Sequence, residues 1–177
     1  MSRRMLAAVL HGREDVRVEA VEIPALRPGE VLLRTRAALT CGTDAKVFRR
    51  GYHARMLQPP ALFGHELAGV VEEVAEGVEG VRPGARVVVA NSAPCGVCAS
   101  CAEGRETLCD DLLFWNGAYA ASIELQHEAA ELVFSRKVRV AELVSHRLPF
   151  ASGLQAFELA LAKAPGTLKV LLARQAA

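Results

Sequence analysis

Four cysteines, Cys95, Cys98, Cys101 and Cys109, stand in the pattern C-x2-C-x2-C-x7-C. Two residues between thiols let one tight turn aim both sulfurs inward with backbone N–H groups beside them. Four thiolates at about 2.3 Å then complete a tetrahedral zinc site with no open position. The spacing predicts a structural zinc site. Pro94, Gly96, Ala99, Ser100 and Gly104 around it supply no apolar core, so this lobe is expected to owe its order to the metal. An iron–sulfur cluster uses the same four thiolates, and four cysteines can also be simply buried or paired as disulfides.

The fifth cysteine, Cys41, lies in Thr40-Cys41-Gly42-Thr43-Asp44, and Phe63-Gly64-His65-Glu66-Leu67 follows. Singly, each has a bland reading: an isolated Cys is usually a small core hydrophobe, and a His beside a strand a satisfied side chain. Together, Cys41, His65 and Glu66 supply a soft thiolate, an imidazole and a carboxylate, the ligand set of catalytic zinc. Asp44 is available to orient the imidazole from behind.

The chain that must position these groups has 177 residues, 51% of them apolar and 23% charged, the balance of a soluble globular domain. Its net charge of +1 leaves no excess to hold nucleic acid or anionic lipid, and neither partner is expected. The apolar run Met5 to Leu10 is too short for a signal core or a bilayer span. The chain is therefore read as cytoplasmic, where clustered thiols point to metal rather than to disulfides.

The first third reads as β, and more strands follow the stretch Cys41 to Pro60. Leu6 to Leu10 is a short apolar run; Val16, Val18 and Ala20 alternate with Arg17 and Glu19; Val31, Leu33, Thr35 and Ala37 alternate with polar or small neighbours. Leu67 to Val74 and Arg86 to Ala90 are again strand-like, separated by Gly- and Pro-rich turns. Helix signals are confined to the last third. Ala129, Ala130, Leu132 and Val133 sit at helical spacing in His127 to Ser135. Leu154, Phe157 and Leu161 form a second stripe, capped by Ser152 and ended by Pro165-Gly166. A last strand is expected at Leu168 to Leu172. The fold class is α+β, mainly β.

Five motifs, in order, carry a resemblance. They are Cys41-Gly42-Thr43-Asp44, Gly64-His65-Glu66-Leu67-Ala68-Gly69-Val70-Val71, Val81-Arg82-Pro83-Gly84-Ala85-Arg86-Val87, the four-cysteine lobe and Gly117-Ala118-Tyr119-Ala120. The chain resembles the zinc-dependent medium-chain alcohol and polyol dehydrogenases over residues 5 to about 120. The resemblance implies a GroES-like barrel at 1–125 that includes the zinc lobe at 91–112, with 126–177 as a helical and strand return completing the same catalytic domain. It implies that Cys41 and His65 ligate catalytic zinc, that Glu66 does so directly or through water, and that Thr43 relays the alcohol proton. Asp44 is counted with Thr43 among the catalytic groups.

The family's reaction passes a hydride to NAD(P), and its cofactor site is a Gly-rich strand-to-helix turn. No G-x-G-x-x-G stands in this chain, and neither a pyrophosphate-binding turn nor a βαβ unit is expected. The stretches after Gln126 instead resemble the family's C-terminal return, so the chain reads as the catalytic domain with its two ends joined near Ser122 to Gln126 and the cofactor domain left out. Two more positions depart from the pattern: Ala121 stands where the family usually has an acidic residue, and its further zinc ligand before the cofactor domain has no counterpart. The expectation is one structural zinc, a weaker catalytic zinc, no NAD(P) binding and no hydride transfer by this chain alone, with a non-catalytic zinc module for folding or partner contact as the alternative. A homodimer through the face a cofactor domain would cover is also expected. Tyr52 and Trp115 are read as core aromatics before pocket residues.

Overall fold

Strand β3 (Glu30–Leu39) organises the molecule, because both of its edges are hydrogen-bonded along most of its length. The computed structural model describes residues 3–120, 122–126, 144–149, 152–162 and 169–173; the helix expected at His127–Ser135 and the Pro165-Gly166 stop lie outside them. One edge of β3 pairs antiparallel with β5 (Glu66–Val74), next to β6 (Arg86–Val88). The other edge is divided. Its first half pairs with β9 (Ser122–Gln126) and its last three residues with β11 (Lys169–Ala173). Strand β10 (Val144–Pro149) lies parallel outside β11, giving the order β10-β11-β3-β5-β6. A second sheet has β1 (Arg4–Gly12) between β2 (Asp15–Glu22) and β4 (Ala61–Leu62).

Leu10 of β1, Leu33 of β3, Val71 of β5, Val170 and Leu172 of β11, and Phe63 meet in one core. The alternation expected in β3 holds from Leu33 to Arg36 but not throughout. Bulges between Leu32 and Leu33 and between Thr35 and Ala37 shift the pleat, so Leu32 is buried beside Leu33 and Ala38, not Ala37, is the buried alanine. Strand β2 corrects part of its expected inward face: Val16 packs against the core, but Val18 is 54% exposed and Ala20 also faces solvent, on a strand at the edge of its sheet.

Helices are not confined to the last third. Helix α1 (Gly42–Arg50) follows β3 directly and ends at Gly51, whose φ of 86° and N–H bond to the Val47 carbonyl close it in the left-handed conformation. A short α2 (Ala99–Ala102) and a 3₁₀ turn (Glu106–Leu108) lie in the cysteine lobe, between β7 (Ser92–Ala93) and β8 (Leu113–Phe114). Helix α3 (Gly153–Ala162) forms as expected and connects β10 to the parallel β11. These three elements make one βαβ unit, a correction to the expectation of none; the sequence between its first strand and its helix, Pro149 to Gly153, has none of the glycine spacing of a pyrophosphate site.

Because β11 closes the same core as β3, truncating its buried side chain should cost as much as truncating a central one. Leu172→Ala is expected to destabilise the chain by about 2–5 kcal/mol, on the scale of Leu33→Ala, measured as a lowered urea midpoint. An unchanged midpoint would mean that β11 is a peripheral attachment.

Candidate metal centres

Cys41 is the N-cap of α1, in extended backbone conformation with φ −131° and ψ 173°. Its Sγ accepts the Thr43 N–H at 3.3 Å, while the Asp44 carboxylate reaches back to accept the Cys41 N–H at 2.9 Å. This is a capping box with sulfur in the place of a hydroxyl. It fixes two groups at once: the thiol at the helix N-terminus and the carboxylate behind it.

His65 opens the other side. It is buried at the entry to β5, with Nδ1 3.1 Å from Asp44 Oδ1 and Nε2 3.1 Å from Cys41 Sγ. Asp44 is 1% exposed, and its Oδ1 takes no aligned hydrogen bond among the described residues; the contact with His65 is an ion pair seen off-axis. Nδ1 turns toward Asp44 Oδ1 and Nε2 toward Cys41 Sγ; a metal bound at Nε2 would displace the proton there and leave the one on Nδ1 facing the carboxylate. Burial opposes charge on His65, but its contacts with Asp44 and Cys41 outweigh that and raise it to about 10. Burial likewise opposes the Cys41 thiolate, and the contact with His65 brings the thiol below its ordinary value.

The donor set suits zinc. One ligand atom each from Cys41, His65 and Glu66 lie within 4.8 Å of one another. Sulfur and nitrogen on one tetrahedral zinc stand about 3.5 Å apart, so the 3.1 Å pair needs to open only by a few tenths of an ångström. Cys41, His65 and Glu66 would hold the ion.

In the second cluster, Cys95, Cys98, Cys101 and Cys109 also place their sulfurs within 4.8 Å of one another, with Cys98 3.5 Å from Cys101 and 4.0 Å from Cys109. The edge of a zinc–thiolate tetrahedron is about 3.8 Å, so the four fit it. Backbone N–H groups point at the sulfurs: Cys95 N–H reaches Cys109 Sγ at 3.2 Å, and those of Asp110 and Cys101 pull the Cys98 thiol down to about 6. Cys101 moves the other way, up to about 12, through desolvation and the neighbouring sulfurs. Four thiolates this close would need a cation to offset their charge, which is what a zinc ion would supply here. The lobe has little else to hold it: Cys109 is buried, but Val97 is 86% and Leu108 60% exposed.

Of the other residues singled out by sequence, Thr43 contributes its N–H to Cys41 Sγ and is half-buried. Trp115 packs against the core, as expected, whereas Tyr52 is 51% exposed and is not a core aromatic. Sequence reasoning misses one member of the site. Tyr119 donates its hydroxyl to Asp44 Oδ2 at 2.9 Å from 75 residues away. The only signal for it in the sequence is its place in Gly117-Ala118-Tyr119-Ala120, which speaks to family resemblance and not to a contact.

Residues 27–133 match the alcohol dehydrogenase GroES-like domain. A sorbitol dehydrogenase of Bacillus subtilis is 30% identical over 161 residues, 87% of this chain and 45% of its own length. Among solved structures, the cobalt- and zinc-bound thermostable alcohol dehydrogenase of Pyrobaculum aerophilum superposes with a TM-score of 0.65 at 32% identity, over 72% of this chain and 41% of that one. A zinc-binding dehydrogenase of Sinorhizobium meliloti bound to NADP gives 0.66 at 30%, over 72% and 38%. The chain spans less than half the length of these relatives. Among the described residues, no helix is long and apolar enough to cross a membrane.

Two measurements separate the centres. Cys98→Ser should remove one tightly held zinc per chain and lower Tm by several degrees, at about 2–4 °C per kcal/mol for this size; unchanged metal content and Tm would refute the four-thiolate site. A second metal, weaker because three protein ligands are in reach among the described residues, should leave first under chelator and be lost in His65→Ala. Cobalt loading that shows only tetrathiolate coordination, unaltered by His65→Ala, would count against it.

Proposed function

Since the chain belongs to the alcohol dehydrogenase GroES-like domain family, we propose that it is the zinc-bearing catalytic body of a medium-chain alcohol or polyol dehydrogenase, with the nicotinamide supplied from outside these 177 residues. The observation that carries this reading is the Cys41–His65 pair, 3.1 Å apart, backed by Asp44 and flanked by Glu66. Zinc bound there supplies Lewis acidity, which makes an alcohol easier to deprotonate. The chain's own residues do the rest. Cys41, His65 and Glu66 would hold the ion, Asp44 would keep Nε2 of His65 as the ligating nitrogen, and Thr43, whose hydroxyl both accepts and donates, would accept the alcohol proton while giving its own to solvent.

Hydride transfer is beyond the chain alone in this reading. The one βαβ unit among the described residues, β10–α3–β11, has no glycine-rich turn to bring backbone N–H groups onto a pyrophosphate. The same feature favours a second reading, a zinc module kept for folding or partner contact. The two differ in whether an alcohol reaches the Cys41–His65 centre.

Titration with NADH, followed by a panel of alcohols and polyols monitored at the nicotinamide absorbance, tests the proposal. No measurable NADH binding and no turnover are expected of the isolated chain. Micromolar NADH binding with turnover that Cys41→Ala abolishes would overturn the expectation and place a cofactor site within these residues. Quenching of a cobalt signal by a bound alcohol, absent in His65→Ala, would separate the catalytic body from the non-catalytic module.

A further inference from the structure

Asp44 Oδ2 receives two donors, the Cys41 N–H at 2.9 Å and the Tyr119 hydroxyl at 2.9 Å. The first comes from within the same capping box. The second comes from 75 residues further along the chain and is itself held with little freedom. Tyr119 is 2% exposed, its ring meets Phe63 edge to face at 5.9 Å, and a Cβ on Gly64 would lie 2.5 Å from its ring carbons. Gly64 has φ 85°, a conformation that side chains rarely adopt, so that position combines backbone freedom with room for the phenol. The backbone is tied as well. Tyr119 N–H reaches the Phe63 carbonyl, and the N–H groups of Gly117 and Ala118 both reach that of Gly64. The residue before His65 and the residues before Tyr119 therefore move as one piece.

We propose that Tyr119 is a positioning residue for the metal at Cys41 and His65, acting through Asp44. The proposal rests on the reading of Cys41 and His65 as ligands. A carboxylate with one donor can rotate about its Cβ–Cγ bond; two donors on the same oxygen fix its plane. With Oδ2 so held, Oδ1 is the atom turned to His65 Nδ1, and Nε2 is the nitrogen presented to the ion. The Leu39 carbonyl, 3.0 Å from the same hydroxyl, is the competing acceptor. A purely structural role would use that contact alone: it would tether β3 and leave the metal untouched.

The test is zinc and cobalt affinity in Tyr119→Phe, which keeps the ring against Gly64 and removes only the hydroxyl. Chelator competition should show a loss of about tenfold to a hundredfold at the Cys41–His65 centre and none at the four-cysteine site. In an Asp44→Asn background, Tyr119→Phe should cost little further affinity, because the path through the carboxylate is already cut. A lower Tm with unchanged affinity would overturn the proposal in favour of the structural role. A further readout needs no substitution. The chain has two tyrosines, and in protein labelled with 3-fluorotyrosine the ¹⁹F signal of Tyr119 should shift when the second metal loads and stay still when the first does. No shift would also overturn it. His65→Ala separates the two failures: if that variant still loads the second metal, the ligand reading itself is wrong; if it does not, while Tyr119→Phe binds normally, only the role of Tyr119 falls.

Discussion

A carboxylate buried to 1% exposure cannot be left unpartnered, and the arrangement around Asp44 follows from that constraint. Its partners come from three separate stretches: the Cys41 N–H, the His65 imidazole and the Tyr119 hydroxyl. Each arrives on a different element, so meeting the needs of one side chain requires β3 to hand over to α1 at Cys41, β5 to begin just after His65, and the Gly117–Ala120 segment to lie under Gly64. Replacing such a network with apolar groups of similar volume is often neutral for stability, whereas cutting one member out is costly. The network is thus understood best by what it aims: a thiol and an imidazole nitrogen at a common point.

The four-cysteine lobe obeys a different rule. Its ligands lie between Cys95 and Cys109, and its sulfurs are approached by backbone N–H groups of its own loop. It contributes almost nothing to the core, and the short strands β7 and β8 close it with the pairs Ser92–Phe114 and Ala93–Leu113. Arg55 lies over the Phe114 ring at 5.5 Å, and Asn116 donates to the Met56 carbonyl at 2.7 Å. These contacts bind the base of the lobe to the loop that follows α1. A metal held by the four cysteines would order the lobe, while the body of the protein grips its neck.

This difference explains what can be read from the residues alone. The four-cysteine cluster is local, and its spacing alone is enough to bring the four sulfurs together. Strands β1, β3, β5, β6 and β11 are legible from apolar runs, since burial writes a period into sequence. Helix α1 is not, because its cap is a cysteine, which is not among the usual N-cap residues, and because Gly42 and Thr43 are poor helix formers. A capping acceptor followed three residues later by an acid is present as Cys41 and Asp44, but the same two residues also spell metal chemistry, which hides the helix start. The bulges of β3 and the bare face of β2 depend on neighbours far along the chain. So does the bond from Tyr119 to Asp44, which no local pattern announces.

The two centres must also differ in how metal binding couples to folding. An ion that binds only the native state stabilises whatever its ligands span. At the four-cysteine site that is one loop, so binding there would order the lobe and stabilise the sheets only as far as lobe and body unfold together. At Cys41 and His65 the ligands sit at the start of α1 and of β5, and their support reaches Tyr119 through Asp44. An ion held there is linked to the closing of the whole core. The dependence runs in both directions, since a core that loosens beneath Gly64 also spoils the aim of His65. The first centre can therefore be full in a molecule whose second is not yet formed, and the second is the one whose occupancy reports that the barrel has closed.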